Sequence, residues 1–293
     1  MRYVEPIFRP PSEARSLLLQ ASIGCSNNSC RFCGSYKRKP FSIRPLSEIE
    51  EDIRSAVSLY GRGVRRVFLL DGNALCIPTQ ELVSILNMLY GTFPSLERVS
   101  AYACTQDILQ KSFEELRRIR DAGLTLLYLG VESGDDLVLD MMNKGVTADE
   151  TRKAALKAID AGFTLSVTVI LGLGGRARSR EHAEATGKIL SDISPHYIGA
   201  LTLMVPKDAP IVNDIRSGRF ELLSPIEILH EMRLMVEKIE IRGRKCIFRS
   251  NHASNYLPVG GILPDEKDEI LMMIDTAIRR GESSLKPEFL RGL

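Results

Sequence analysis

The sequence has no tryptophan, no strong excess of charge of either sign and no long apolar run. Its 39 basic and 37 acidic residues nearly cancel, so no overall field favours nucleic acid as a partner. No stretch reaches the roughly 20 apolar residues of a membrane span. The N-terminal segment carries charges and prolines where a signal peptide has an apolar core. We therefore expect a soluble, cytoplasmic protein with no membrane partner.

Cysteine is scarce as well, with six residues in a chain of 293. This density excludes a small secreted scaffold held together by disulfides. Three of the six, Cys25, Cys30 and Cys33, nevertheless lie within a single short segment. In a reducing compartment, such clustering indicates metal binding or redox chemistry.

The fold is predicted from apolar runs that alternate with amphipathic stretches. Strands are expected at Leu17–Ile23, Arg66–Leu70, Arg98–Ala103, Leu124–Val131, Thr164–Leu171 and Ile198–Met204. Intervening helices predict parallel pairing with right-handed crossovers. The expected fold class is α/β: a partial (β/α)6 TIM-like barrel over residues 1–204, which is the catalytic core. A mainly helical C-terminal extension, residues 205–293, is expected to close or flank this barrel.

The helices carry their own boundary signals. Ser47 and Glu50 have the spacing of a capping box, which predicts that the first helix opens at Ser47. Gly123 and Gly162 each follow a helical pattern, as a helix-ending glycine does. In parallel α/β folds, ligands meet the carboxyl ends of the strands, so the residues directly after each strand are the candidates for chemistry.

The three clustered cysteines directly follow the first predicted strand, on a polar loop. A four-iron cluster normally takes four thiolates, so three leave one iron open to a substrate or cofactor. Structural zinc prefers four ligands, and no second pair is evident nearby; catalytic zinc on three cysteines is an alternative. Cys30 and Cys33 also have the spacing of a thiol-redox pair, although a third cysteine weighs against it. An iron–sulfur cluster is the favoured interpretation.

A three-cysteine loop after the first strand, with Phe32 before the last cysteine, resembles the radical S-adenosylmethionine (SAM) superfamily. The loop has four residues between its first two cysteines, where three are commoner. The resemblance covers roughly residues 17–204. Gly-Val-Glu-Ser-Gly at 130–134 and Met-Asn-Lys-Gly at 142–145 are similar to the branch of oxygen-independent coproporphyrinogen oxidases and methylthiotransferases.

The resemblance implies a [4Fe–4S] cluster on the three cysteines and S-adenosylmethionine on the open iron. The turn at 71–73 would meet the amino group of S-adenosylmethionine, Glu132 would accept the ribose hydroxyls, and the segment at 168–175 would lie along the adenine. The implied cofactor contacts are Phe32, Asp71, Gly72, Asn73, Glu132, Ser133, Thr168, Ile170 and Gly172. The resemblance also implies a one-electron donor such as flavodoxin or ferredoxin, and an oxygen-sensitive cluster.

Substrate residues are sought after the barrel and after its strands. His252 and Tyr256 are expected to exchange protons with a small-molecule substrate, although an ordinary polar loop has the same composition. Cys76 and Cys104 follow strands and are candidate hydrogen-atom donors, although buried cysteines are commonly inert. An RNA substrate is an alternative that the charge balance and the absence of tryptophan disfavour. A non-catalytic iron–sulfur or metal-binding protein is a further one.

Overall fold

The structure, a computed structural model, describes residues 1–292. They divide into two compact units. The first unit consists of Met1–Asn28, Ser35–Leu129 and Lys153–Leu165, and the second of Ser29–Gly34, Gly130–Arg152 and the chain from Ser166 onward. Within the described residues, no helix combines the length and apolar character needed to cross a membrane.

The strands agree closely with the predicted ones. They are β1 (Leu17–Leu19), β2 (Ser22–Ile23), β3 (Ser42–Ile43), β4 (Arg66–Leu69), β5 (Arg98–Ala103), β6 (Leu124–Glu132), β7 (Thr164–Leu171), β8 (Tyr197–Thr202), β9 (Cys246–Ser250) and β10 (Val259–Leu263). All six predicted strands are present, and the first is divided between β1 and β2. Strand β6 is buried along most of its length, as its continuous apolar sequence predicts.

The helices connect these strands. They are α1 (Leu46–Tyr60), α2 (Thr79–Thr92), α3 (Thr105–Gln110), α4 (Phe113–Asp121), α5 (Asp136–Met141), α6 (Ala148–Asp160), α7 (Gly175–Ile193), α8 (Val212–Arg216), α9 (Pro225–Lys238) and α10 (Lys267–Arg280). Gly123 and Gly162 have φ angles of 114° and 93°, and both follow the ends of helices as predicted.

Hydrogen bonding orders eight strands in one sheet as β1-β4-β5-β6-β7-β8-β9-β10, while β2 pairs with β3 separately. Strands β1, β4, β5 and β6 pair in parallel, as do β7, β8 and β9. In this sheet β9 pairs antiparallel with β10, and the separate pair of β2 and β3 is antiparallel as well. The predicted α/β fold is therefore confirmed.

The predicted capping box at Ser47 is wrong. Helix α1 begins at Leu46, and Pro45 occupies the N-cap without a side-chain cap. Arg44 fixes this entry, because its guanidinium donates to Asp52 Oδ2 at 2.8 Å and to the Gln20 carbonyl at 2.8 Å. These longer-range bonds place the start of the helix one residue before the local pattern predicts.

Beyond residue 204, the chain is richer in strand than the sequence indicates. Helices α8, α9 and α10 account for its mainly helical character. Strands β9 and β10, however, form a hairpin on either side of the polar segment that carries His252 and Tyr256. Strand β9 pairs in parallel with β8, with Ile198 opposite Phe248. The division into domains at residue 204 stays a prediction.

Each unit has its own apolar core. In the first unit, Phe68, Leu70, Leu126 and Tyr128 form a buried cluster, and the Phe68 ring meets Tyr102 edge-on with centroids 5.1 Å apart. In the second unit, a buried cluster forms around Val138, Met142, Leu173, Leu203, Ala209, Ile211 and Phe220. Burying one large apolar side chain stabilises a fold by roughly 1.5–3 kcal/mol, so these clusters hold the strand ends in fixed positions.

Candidate active site

The cysteine loop begins where β2 ends, and its first cysteine belongs to the first unit. Cys25 is half-buried and follows Gly24, whose φ angle is 77°. A methyl group added at Gly72 would lie 2.6 Å from Cβ and 2.8 Å from Sγ of Cys25. The turn after β4 therefore packs directly against this cysteine, and a larger residue at position 72 would displace it. The structure thus brings Cys25 and Gly72 together.

Asp71 fixes the backbone immediately before Cys25. Its Oδ2 accepts hydrogen bonds from Gly24 N at 2.7 Å and Gln20 Nε2 at 3.0 Å, and it pairs with Lys39 Nζ at 2.7 Å. The side chains of Asp71 and Lys39 are 0% and 3% exposed, so the ion pair is fully enclosed. Asp71 also has a φ angle of 69°, in the left-handed region. These contacts give Asp71 a structural role.

Asn73 lies in the same buried turn. Its Nδ2 donates to Ser26 Oγ at 2.7 Å and to the carboxylate of Asp107. Neither Asn73 Oδ1 nor Asp71 Oδ1 has a hydrogen-bond partner among residues 1–292. A buried acceptor without a donor costs about 1–3 kcal/mol. A ligand that brings a donor, such as an ammonium group, therefore fits this turn.

Cys76 and Cys104 both lie in the first unit, and Cys76 follows this turn closely in sequence. The Cys76 thiol donates to the Asn73 carbonyl at 2.8 Å. Burial, with a smaller effect of Asp107, raises the pKa of Cys76 to about 12, so the group is a thiol at neutral pH. Cys104 stands at the N-cap of α3 and is half-buried. Hydrogen-atom donation by either residue stays a prediction.

The other two cysteines belong to the second unit, where backbone bonds hold their loop. Cys30 is 7% exposed and Cys33 is half-buried. Between them, Arg31 N donates to the Met142 carbonyl at 2.8 Å, and the Arg31 carbonyl accepts from Ile211 N at 3.1 Å. Arg31 also pairs with Asp214.

Phe32, predicted as a cofactor contact, packs against the apolar cluster of the second unit. The loop that carries Cys30 and Cys33 is therefore fixed both by its backbone and by this ring.

Glu132 ends β6 with a φ angle of 65°. Its Oε1 lies 3.0 Å from Lys144 Nζ, and the two side chains are 12% and 13% exposed. A methyl group at Gly130 would lie 2.0 Å from Glu132 Oε1, so the carboxylate folds back over that glycine. The partly open carboxylate keeps acceptor capacity for hydroxyl groups.

Ser133 is fully buried and hydrogen-bonds to a histidine that the sequence analysis did not select. Its Oγ lies 2.8 Å from His182 Nδ1, and His182 Nε2 donates to the Ile170 carbonyl at 3.0 Å. Because a carbonyl only accepts, Nε2 of His182 carries a proton and donates it to this hydrogen bond. His182 thus connects the end of β6 to the end of β7.

Glu231 of α9 continues this network. Its Oε1 accepts from Gly172 N at 2.5 Å, its Oε2 accepts from Ser179 Oγ at 2.5 Å, and His182 Nε2 lies 3.7 Å away. Burial raises the pKa of Glu231, while His182 and the hydrogen bonds lower it by less. Gly172 has a φ angle of 83°, so glycine is suited to this position.

Ser133, His182 and Glu231 have the residue types of a hydrolytic triad. However, they are 0%, 1% and 3% exposed, so Ser133 is closed to substrate and to solvent. The network therefore positions the strand ends and does not supply a nucleophile. Sequence reasoning missed His182 and Glu231 because their partners lie 12 to 59 residues away along the chain.

Thr168 and Ile170 occupy alternate positions of β7. The strand alternates regularly between half-buried and buried residues, and Thr168 and Ile170 share the half-buried face. A strand turns successive side chains to opposite faces. These two side chains therefore belong to the accessible face of β7, the one available to a flat ligand.

His252 and Tyr256 lie in the segment after β9. His252 Nδ1 accepts from Ser254 N at 3.1 Å, and burial lowers the pKa of His252. The Tyr256 hydroxyl donates to Glu288 Oε2 at 2.7 Å, and the Arg291 guanidinium lies 4.1 Å from the ring centroid. Tyr256 is thus engaged by the C-terminal segment. Contact of either residue with substrate stays a prediction.

The residues of the site are suited to an iron–sulfur cluster and S-adenosylmethionine. The three thiols lie within nine residues of the chain, Cys25 in the first unit and Cys30 and Cys33 in the second. In the first unit, glycine at 72 leaves room beside Cys25, and two buried acceptors of the adjoining turn lack donors. No three His, Cys, Asp or Glu side chains in residues 1–292 are grouped closely enough to hold one metal ion. A four-iron cluster does not require such a group, because each thiolate binds a different iron.

Comparison with known proteins identifies the family. The model of the radical SAM superfamily matches residues 19–186, which is more than half of the chain. The chain belongs to the radical SAM superfamily. It is a radical SAM enzyme, and family membership implies a [4Fe–4S] cluster and S-adenosylmethionine.

Two curated relatives illustrate where this radical SAM enzyme stands. It is 30% identical over 198 residues to the tRNA-2-methylthio-N(6)-dimethylallyladenosine synthase of Roseiflexus sp. (strain RS-1), covering 64% of this chain and 40% of the relative. It is 20% identical over 221 residues to the heme chaperone HemW of Bacillus subtilis (strain 168), covering 73% and 57%. The chain therefore spans about half the length of these relatives.

Solved structures share the fold of the radical SAM enzyme. Coproporphyrinogen III oxidase (HemN) from Escherichia coli, itself a radical SAM enzyme, superposes with a TM-score of 0.60 at 19% identity, over 76% of this chain and 52% of that one. Methylornithine synthase (PylB) gives a TM-score of 0.54 at 19% identity, over 76% and 63%. At this identity the likeness establishes the fold alone.

Proposed function

We propose that this enzyme binds a [4Fe–4S] cluster through Cys25, Cys30 and Cys33 and cleaves S-adenosylmethionine reductively. When bound, the cluster and S-adenosylmethionine supply an electron to the sulfonium and a 5′-deoxyadenosyl radical that abstracts hydrogen. The observation that carries the proposal is the packing of the Gly72 turn against Cys25, in a chain of this family.

The residues of the chain bind and orient in this proposal. Asp71 holds Gly24 N, which fixes the backbone leading to Cys25. The turn at 71–73 would meet the amino group of S-adenosylmethionine, and Asp71 holds this turn in place against Gly24. Glu132, beside Lys144, would accept hydrogen bonds from the ribose hydroxyls.

On the second unit, Thr168 and Ile170 present the face along which the adenine lies. Ser133 and Gly172 lie at the two strand ends, and His182 and Glu231 hold these strand ends in place. A site in which each contact is held by a second residue needs little rearrangement when its cofactor binds.

A small molecule is the first candidate substrate. His252 and Tyr256, with hydrogen-bonding groups on a segment after β9, support this proposal as proton donor or acceptor. An RNA substrate is the second candidate. A specific observation favours it, since the relative from Roseiflexus is named for a modified tRNA nucleoside. The balance of charges over the whole chain is therefore not a sufficient reason to exclude nucleic acid.

Anaerobic reconstitution tests the proposal. The protein is loaded with iron and sulfide, reduced with dithionite and mixed with S-adenosylmethionine, and 5′-deoxyadenosine is quantified by chromatography. We expect 5′-deoxyadenosine from the wild type and none from Cys25→Ala, Cys30→Ala or Cys33→Ala. Cys76→Ala and Cys104→Ala are the matched controls, because we expect both to keep the cluster and the cleavage. A cluster that assembles equally well without Cys25, Cys30 or Cys33 contradicts the proposal.

A further inference from the structure

A cleft in the first unit lies at the opposite ends of the strands that carry the cysteine turn. Its volume is about 730 Å³, and its lining includes the start of β1 and Arg66 at the start of β4. Cys25 and Asp71 come after the other ends of these strands. The cleft is therefore separate from the site described above, and none of the proposed cofactor contacts lines it.

The lining of the cleft is strongly basic. Arg9, Arg15, Arg65 and Arg66 all line it, and no acidic residue does. This contrasts with the nearly balanced charge of the whole chain, 39 basic against 37 acidic residues. Like charges brought together without counter-ions repel one another. An anionic ligand would remove that repulsion.

The charges of the cleft are available to a ligand. Arg65 pairs with Glu97, but Arg9, Arg15 and Arg66 make no side-chain hydrogen bond or ion pair with any of residues 1–292. All four are exposed. Guanidinium groups bind phosphate in a planar, two-bond geometry, and desolvating them is less costly than desolvating ammonium groups.

Two tyrosines add aromatic surface to this charge. Tyr60, at the end of α1, is 63% exposed, and Tyr3 is 37% exposed. The Tyr3 hydroxyl donates to the Leu18 carbonyl at 2.8 Å, which holds the ring against the start of β1. Exposed rings beside a basic groove are the combination that binds single-stranded nucleic acid, by stacking on bases and pairing with phosphates.

We propose that this cleft binds a segment of single-stranded RNA, with phosphates on Arg9, Arg15 and Arg66 and a base stacked on Tyr60. The cleft is open, and its lining combines exposed arginines with apolar residues such as Ile7, Leu17 and Val64. This combination suits a ligand that brings both phosphates and bases. A flat anionic membrane would not enter a concave surface. The proposal concerns a docking surface away from the reacting centre and does not depend on which substrate the enzyme transforms.

The probe is a fluorescein-labelled oligoadenylate of about 12 nucleotides, with binding measured by anisotropy across a salt series. The holoenzyme is used with S-adenosylmethionine in excess, so that adenine binding at the cofactor site does not interfere. Arg9→Gln/Arg15→Gln/Arg66→Gln is compared with Arg117→Gln/Arg180→Gln/Arg216→Gln. The second variant removes the same charge from exposed positions outside the cleft.

We expect the cleft variant to bind at least about tenfold more weakly near 0.1 M salt and to lose about 2 from the slope of log K against log salt, since each phosphate contact on a single strand contributes about 0.7. Tyr60→Ala is expected to weaken binding about fivefold or more with an unchanged slope, because stacking is not ionic. The control variant should bind as the wild type does.

Three results would overturn the proposal. Equal loss in both arginine variants would mean a non-specific charge effect. Full competition by AMP at the affinity of the oligonucleotide would mean a mononucleotide pocket. Binding to anionic phosphatidylserine vesicles but not to the oligonucleotide would mean a membrane surface. Formation of 5′-deoxyadenosine, measured on the same preparations, is expected to be unchanged in every variant. A failure of this proposal is thus distinguishable from a failure of the proposed reaction.

Discussion

Two carboxylate–lysine pairs at strand ends, one in each unit, look alike but differ in their surroundings. Asp71 follows β4 and pairs with Lys39, and Glu132 ends β6 and pairs with Lys144. The backbone of both acidic residues lies in the left-handed region, with φ angles of 69° at Asp71 and 65° at Glu132. The Asp71 pair is 0% and 3% exposed, whereas the Glu132 pair is 12% and 13% exposed.

The difference in hydrogen bonding separates their roles. Asp71 Oδ2 accepts from a backbone amide and a glutamine besides its lysine. Among residues 1–292, the Glu132 carboxylate has Lys144 as its one side-chain partner, so it can exchange that contact for a ligand. An acidic residue with a left-handed backbone conformation at a strand end can therefore hold the backbone or bind a ligand. The more deeply buried Asp71 holds the backbone, and the less buried Glu132 is available to a ligand.

The largest expected effect comes from breaking the buried pair. Asn tolerates the left-handed region, so Asp71→Asn removes the charge with little backbone strain and leaves Lys39 buried without its counter-charge. We expect a loss of about 3–5 kcal/mol in the free energy of unfolding, measured with urea. Adding Lys39→Met to this variant should recover much of the lost free energy of unfolding. If Asp71→Asn unfolds at the wild-type urea concentration, the structural role is wrong.

The matched change in the less deeply buried pair should act on binding. Glu132→Gln is expected to lower the free energy of unfolding by less than Asp71→Asn does, because the amide oxygen can still accept a hydrogen bond from Lys144. It should weaken binding of S-adenosylmethionine to the reconstituted enzyme by about tenfold, because a hydrogen bond to a charged group is worth about 1.5–3 kcal/mol. Isothermal titration measures this affinity. Unchanged affinity together with strong destabilisation would give Glu132 the role assigned here to Asp71.

The smallest effect concerns a carboxylate buried without an adjacent lysine. Burial raises the pKa of Glu231 above its ordinary value of 4.5. The folded state therefore holds the proton more tightly than the unfolded state, and stability present below pH 4.5 is lost as the pH rises through the folded pKa. Glu231→Gln should remove this part of the pH dependence, measured by urea unfolding at several pH values. If the free energy of unfolding of the wild type instead rises relative to that of Glu231→Gln as the pH increases above 4.5, the prediction is wrong.

The sequence contains enough information for the strands and for the three thiols, because both are local patterns. Apolar runs located the six predicted strands, and a segment of nine residues contained the three clustered cysteines. The capping box at Ser47 failed because Arg44 makes longer-range bonds that fix the helix start. A true capping box is formed by Ser112 and Glu115.

What the sequence left out depends on contacts between distant residues. The hairpin of β9 and β10 has polar residues between its strands, so alternation did not mark it. His182 and Glu231 looked like ordinary helical residues, and only the fold brings them to Ser133 and Gly172. Asp71 was correctly noticed after a strand, but its ion pair with Lys39 could not be read from the spacing.

The hairpin of β9 and β10 also bears on how the chain avoids self-association. Strand β8 is covered on one side by β9, and β10 then ends the sheet. A chain ending at residue 204 would leave the amides and carbonyls of β8 unpaired along that side. Such an open strand is a template for pairing with another molecule. The segment after the sixth strand thus acts as protection against aggregation, whatever part it has in substrate binding.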